Sequence, residues 1–280
     1  HGAVLRSADR GKHFERADLP FKMGGNELGR GNGERLAVDP HDGRVLFLGS
    51  RGAGLWRSED YGAHWSKVES FPAVATSPSA SAENPWRRQA IGIVFVEFEP
   101  ATGKPGRPTS TLYAGVSTQE TSLFRSDDGG RSWKPVAGQP VGLRPNHMVR
   151  GGDGAYYLSY GDEPGPDNMR DGAVWKYEPA TARWTEITPW KDQHSGWGAV
   201  TVDPHDPKVL MTATFGHYTP KDELFRSVDG GAHWTPVFPR SEFDHGKATW
   251  TRDHTPHWLA SIEIDPYDPD HVLFVTGYGI

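Results

Sequence analysis

The chain has 280 residues with no cysteine, 34 glycines, 23 prolines and 11 tryptophans, and a net charge of −6 from 30 basic and 36 acidic side chains. Without cysteine it holds no disulfide, zinc–thiolate site or thiol nucleophile, and its mild acidity excludes a general nucleic-acid binder, which needs a basic face. The longest apolar run, Ile91 to Phe98, already includes Glu97 and falls far short of the ~20 residues that span a bilayer, so no membrane partner is expected.

From the N-terminus, Gly2 to Arg6 reads as a strand entering the octet Ser7 to Phe14. This pattern, S-x-D-x-G-x-x-W/F, returns at 58–65, 126–133 and 227–234, and a degenerate copy at 177–184 keeps only its closing Trp184. The starts at 7, 58, 126, 177 and 227 set a period of about 50 residues, within the range of propeller blades. In such an octet the Asp accepts from turn amides, the Gly supplies positive φ, and the closing aromatic begins the next strand and packs between repeats.

Further strands precede each octet. Leu36 to Pro40, Val94 to Pro100, Val200 to Pro204 and Ile262 to Pro266 each end at a proline, and Val45 to Gly49, Leu112 to Gly115, Val209 to Thr212 and Val272 to Thr276 follow them. Third strands run through Gly54 to Arg57, Ser122 to Arg125, Ala173 to Lys176 and Glu223 to Arg226. The predicted fold is therefore all-β: a β-propeller of four-stranded blades with Asp-box turns, four full blades plus two half blades, with residues 1–280 as a single propeller domain or propeller fragment. The chain opens at a third strand and stops after a second. Its two half blades either close into one composite blade or belong to a larger, seven-bladed propeller, and the missing initiator Met and abrupt end favour the latter.

With the innermost strand first in each blade, the octets and D-P turns share one face and the remaining loops share the other. The octets have a sufficient task in turn formation and packing, so function is expected in the remaining loops. These carry Asn26, Arg30, Trp86, His147, Trp190, Trp197, His217, Tyr218, Trp250, His254, His257 and Trp258. Aromatics beside amides and charges suit carbohydrate, since rings stack on sugar faces while polar groups reach the hydroxyls. Trp197 and Trp258 would serve equally well as wedges between blades. His254 and His257 form an H-x-x-H in a proline-containing loop, too weak a pattern for a metal site; no metal or cofactor is expected.

The stretches Leu5 to Gly11, Leu19 to Asn26, Gly29 to Pro40 and Gly54 to Gly62 resemble glycoside hydrolase family 74, the xyloglucan-hydrolysing endoglucanases. The likeness continues through Tyr157 to Gly161, Gly172 to Lys176 and His257 to Pro266, and so covers nearly the whole chain. The resemblance implies two seven-bladed propellers clasping a glucan cleft. It also implies inverting hydrolysis by two Asp, one from each propeller, with carboxyl groups about 6.5–9.5 Å apart. Neither the family's base-bearing loop, of the type Asp-x-Gly-Gly-x-Tyr-Arg, nor its second-propeller acid has a counterpart in this sequence, so the catalytic residues are unknown. By resemblance the chain is part of a substrate-cleft wall, inactive alone, with a polysaccharide or oligosaccharide as substrate and the remainder of a parent enzyme, including a second propeller, as partner. Asn26, Arg30, Tyr160, Trp197, His257 and Trp258 are the expected sugar contacts, and a secreted or periplasmic location is implied. Two other readings stay open: a non-catalytic propeller that binds a glycan or protein, and a sialidase-like hydrolase using Arg30, Arg87 and Arg150 with a Tyr–Glu pair.

Overall fold

A computed structural model describes residues 2–23, 35–72, 92–163, 165, 169–190, 195–216, 221–246, 249, 256–277 and 279. They fall into two compact units, His1–Val136 and Ala137–Ile280. In the first, β1 (Gly2–Arg6) and β2 (Glu15–Leu19) pair around the first octet. Strands β3 (Leu36–Val38), β4 (Leu46–Gly49), β5 (Leu55–Ser58) and β6 (Ser66–Lys67) form one four-stranded sheet. A second comprises β7 (Ile93–Phe98), β8 (Leu112–Val116), β9 (Leu123–Ser126) and β10 (Lys134–Pro135).

The second unit contains β11 (Arg144–Arg150), β12 (Tyr156–Gly161), β13 (Val174–Glu178) and β14 (Arg183–Glu186), then β15 (Gly196–Val202), β16 (Leu210–Phe215), β17 (Leu224–Ser227) and β18 (Thr235–Pro236). It ends in the hairpin of β19 (Ser261–Asp265) and β20 (Asp268–Val275). Every sheet neighbour is consecutive in the chain and antiparallel. The fold is thus all-β, built from four-stranded propeller blades with Asp-box turns. In the blade of β15 to β18 the first two strands are buried along their length, whereas outer strands such as β6 and β10 are two exposed residues. Short outer edges of this kind discourage pairing with other chains.

The closing aromatics pack between repeats as the pattern predicts. In the first unit the Trp133 ring meets Phe47 and Phe71 edge-on at 6.5 and 5.0 Å, inside a core with Leu55, Ile93 and Phe98. In the second, Trp234 packs on a core of Tyr157, Val200, Leu210 and Phe225 and donates its indole N–H to the Ile187 carbonyl at 2.8 Å. Phe14 differs: it stays 60% exposed on the β1–β2 hairpin. Trp184 of the degenerate copy stacks on Tyr177 of its own sheet at 4.4 Å.

In the intact octets one serine and one aspartate organise the turn. Ser58 donates to Asp60 at 2.8 Å and accepts from the Gly62 N–H at 2.9 Å, while Asp60 accepts from the His64 N–H at 2.9 Å and lies 2.6 Å from its Nδ1. The same set recurs around Asp9 and Asp229, and Ser132 replaces the histidine beside Asp128. Positive φ occurs at the fifth position, always glycine, and also at the fourth, where Arg10 and Tyr61 stand against Gly129 and Gly230.

The D-P turns tie sheets together. Asp39 accepts the Thr109 N–H at 2.7 Å and its hydroxyl at 2.9 Å, which buries Thr109. His41 Nε2 donates to the Pro100 carbonyl at 2.7 Å, and His205 Nε2 repeats this with Pro266 at 2.8 Å.

Candidate carbohydrate-binding site

On the loop side of the second unit, a buried carboxylate gathers three segments. Asp222 precedes β17, and its side chain has no solvent exposure. Its Oδ1 accepts the Thr214 hydroxyl at 3.0 Å, and Thr214 in turn accepts the Glu223 N–H at 2.8 Å. Its Oδ2 accepts the Trp258 backbone N–H at 2.7 Å and lies 2.9 Å from His257 Nδ1, an ion-pair contact when the ring is protonated. Its place between three chain segments fixes them together.

The sequence near these groups is shaped to let them meet. A bulge interrupts β15 at Gly198, where a Cβ would lie 2.7 Å from the Leu259 carbonyl. Leu259 is wholly buried in the core with Ala213, Leu224 and Ile262, which anchors the segment that presents His257 and Trp258. Gly277 donates its N–H to the His257 carbonyl at 3.0 Å, and a Cβ there would lie 2.4 Å from the Trp258 ring. Trp258 itself has φ of +55°. For a bulky residue this left-handed conformation costs on the order of 1–3 kcal/mol and persists only where its surroundings over-determine it. Its ring centroid is 5.0 Å from that of His257.

The adjacent Glu223 faces a different set of partners. One oxygen accepts the N–H groups of Leu224, Val237 and Phe238 at 2.9, 3.2 and 2.8 Å. Burial pushes this carboxyl above the usual range, and the three backbone donors oppose that rise. Both acidic side chains are therefore occupied by protein donors.

No protein-family model matches the chain. A xyloglucanase of Acetivibrio thermocellus is 42% identical to it over 99% of this chain and 36% of that protein. A xyloglucanase of Hypocrea jecorina is 35% identical over 100% of this chain and 37% of that protein. The crystal structure of the family 74 xyloglucanase from Xanthomonas campestris matches with a TM-score of 0.93 at 61% identity, covering 99% of this chain and 40% of that one. The chain is a homologue of the glycoside hydrolase family 74 enzymes. It spans 36–40% of the length of these relatives.

In this family 74 homologue the six expected contact residues have different settings. Asn26 and Arg30 lie outside the described residues, as do Trp86, Arg87, His217, Tyr218, Trp250 and His254. Trp197 is fully buried, 5.6 Å from Phe225, and fills the wedge role open to it from sequence. Tyr160 is equally buried, and burial pushes its hydroxyl well above the usual phenol range, so it stays neutral near pH 7. His257 is buried and Trp258 half-buried beside Asp222. His147 and Trp190 are used internally: His147 Nδ1 meets the Val200 carbonyl at 3.1 Å, and Trp190 packs 4.5 Å from Phe225.

Several buried polar atoms of the second unit have no partner among the described residues: Asn146 Oδ1, Tyr160 Oη, Trp197 Nε1 and Trp258 Nε1. Asn146 and Trp197 are linked, since the Asn146 amide donates to the Trp197 carbonyl at 2.8 Å. In the first unit, Arg35 at the entrance to β3 donates to the Ile93 carbonyl at 3.2 Å. Burial, followed by repulsion from Arg51, lowers its pKa to about 10. Sequence reasoning missed Asp222 and Thr214. The available signal was the acidic pair Asp222-Glu223 directly ahead of an apolar strand, where burying a carboxylate is costly unless it accepts hydrogen bonds.

Proposed function

We propose that this family 74 homologue is part of a xyloglucan-hydrolysing enzyme and contributes to the wall of its glucan-binding cleft. The observation that carries this reading is the rigidly held His257–Trp258 pair on the loop side, in a chain 42% identical to a xyloglucanase. A half-buried indole offers a sugar ring an apolar face to stack on, and the buried imidazole beside it holds that indole in place. Asn26 and Arg30 are proposed as further hydroxyl contacts. Tyr160 and Trp197 stand behind the surface, their unpaired Oη and Nε1 available only to a group that reaches inside.

In this reading the reaction is inverting hydrolysis of a β-1,4-glucan backbone. One carboxylic acid protonates the leaving oxygen while one carboxylate activates water. Asp222 and Glu223 are committed to protein donors, and the two catalytic Asp are supplied outside these 280 residues by a longer protein that includes a second propeller. A polymeric substrate outside the cell makes the enzyme a secreted one.

The test pairs the 280-residue chain with a longer protein carrying the flanking sequence. Binding of xyloglucan oligosaccharides is measured by calorimetry, and hydrolysis by reducing-end release with the anomer identified by NMR. Binding by both and inverting turnover by the longer protein alone is the expected result. Turnover by the 280-residue chain would overturn the placement of the acids. Binding without turnover by either protein would favour the non-catalytic propeller.

A further inference from the structure

We propose that Asp222 is a positioning residue that, with the buried His257, holds Trp258 as a preformed sugar-stacking residue, a role that rests on the carbohydrate reading above. It acts through these two residues and does not itself touch the ligand, since its side chain has no exposure.

The argument begins with the Trp258 backbone. A turn needing φ of +55° is made without steric conflict by glycine, yet here it carries the largest side chain. The backbone N–H of that residue is the group Asp222 accepts at 2.7 Å, so the carboxylate supports the strained residue itself. The same oxygen faces His257 Nδ1 at 2.9 Å, and the other oxygen is fixed by Thr214 at 3.0 Å, which leaves the carboxylate little freedom to turn away. Beneath the indole, Gly277 removes the one Cβ that would push the ring off its seat. Strain held in place by buried hydrogen bonds, with a half-buried ring as its product, is the arrangement expected where orientation has been fixed before a ligand arrives. A turn serving only to join β18 to β19 would need neither the ring nor the strain.

The alternative is that Asp222 merely stabilises the fold, and β17 supplies a built-in control. Asp229 stands at the opposite end of the same strand, bonded within its own octet and to none of the groups around Trp258. Asp222→Asn keeps the size and one acceptor oxygen but replaces the other carboxylate oxygen with an amide nitrogen, so the pair of acceptors facing Thr214 and His257 is lost. The 280-residue chain and its Asp222→Asn, Trp258→Phe and Asp229→Asn variants are titrated with a xyloglucan oligosaccharide by calorimetry. Imidazole nitrogen shifts of His257 are recorded by NMR as a signature that a purely structural effect elsewhere would not move. The expected result is a loss of affinity of about tenfold or more for Asp222→Asn and for Trp258→Phe, with altered His257 shifts in Asp222→Asn and unchanged affinity in Asp229→Asn. Affinity lost equally in Asp229→Asn, or kept in Asp222→Asn or Trp258→Phe, would overturn the positioning role while the carbohydrate reading stands. Failure of the unaltered chain to bind would overturn both.

Discussion

The two aspartates that bracket β17 differ in where their partners come from. Asp229 closes a turn with Ser227 and His233, no more than four residues away, and the His233 side chain it meets faces water. Asp222 draws together Thr214, His257 and Trp258 across 8 to 36 residues, in a site closed to solvent. One carboxylate shapes a strand connection that the backbone nearly makes alone. The other fixes a geometry that no local preference would produce, and that is where a ligand surface can be specified.

Removing each carboxylate separates the two roles most strongly. Asp222→Ala strands the Thr214 hydroxyl and the Trp258 N–H in a buried site, and a loss of about 3 kcal/mol is expected in urea unfolding. Asp229→Ala should cost clearly less, because water replaces the lost acceptor. Equal losses would erase the contrast between the two ends of β17.

Acid exposes the octets in another way. The backbone N–H and imidazole of His233 hold Asp229 at about 2, and the hydroxyl and N–H of Ser132 hold Asp128 at about 2, both below the ordinary 3.8. A carboxyl depressed in the folded state adds stability that is complete above its unfolded value and is lost as the pH falls through its folded one. The octet contribution should therefore fade between 3.8 and about 2, and the double variant Asp128→Asn/Asp229→Asn should flatten the stability curve in that window. A curve of unchanged slope there would show that these turns are not coupled to folding.

The same contrast explains what was legible in the sequence. The octet works through residues at most four apart, so its composition and spacing announce it, and the strands follow from alternation and from runs such as Ile93 to Phe98. The D-P turns were readable as turns, but the ties Asp39–Thr109 and His205–Pro266 were not, because their partners lie 70 and 61 residues away. Asp222 was hidden for the same reason. Trp197 and Tyr160 carried too little information to sort: an aromatic on an inner strand looks alike whether it faces a ligand or a neighbouring blade. Only packing against Phe225 places Trp197 in the core. The left-handed Trp258 had no sequence signal at all, since the residue type argues against it.

A smaller effect is expected at the D-P ties. His205→Ala removes one hydrogen bond to the Pro266 carbonyl at an exposed position, and a loss of about 0.5–1 kcal/mol should appear in thermal or urea unfolding. A larger loss would mean that these ties carry more of the blade-to-blade cohesion than the cores do.

The finest comparison concerns strain itself, at two bulky residues with nearly the same backbone. Tyr61 has φ of +59° at the fourth octet position, where Gly230 serves in another repeat, and its ring is 60% exposed. Tyr61→Gly relieves the left-handed penalty but adds freedom to the unfolded chain, so a net gain of about 0.5 kcal/mol is expected. Trp258→Gly relieves the same penalty at φ of +55°, yet it also removes the ring seated on Gly277 and should abolish oligosaccharide binding. If glycine were harmless to binding at position 258 as well as stabilising at position 61, the strain at Trp258 would be an accident of the turn. If it is tolerated at 61 and lost function follows at 258, the strain at Trp258 is held for the sake of the ring.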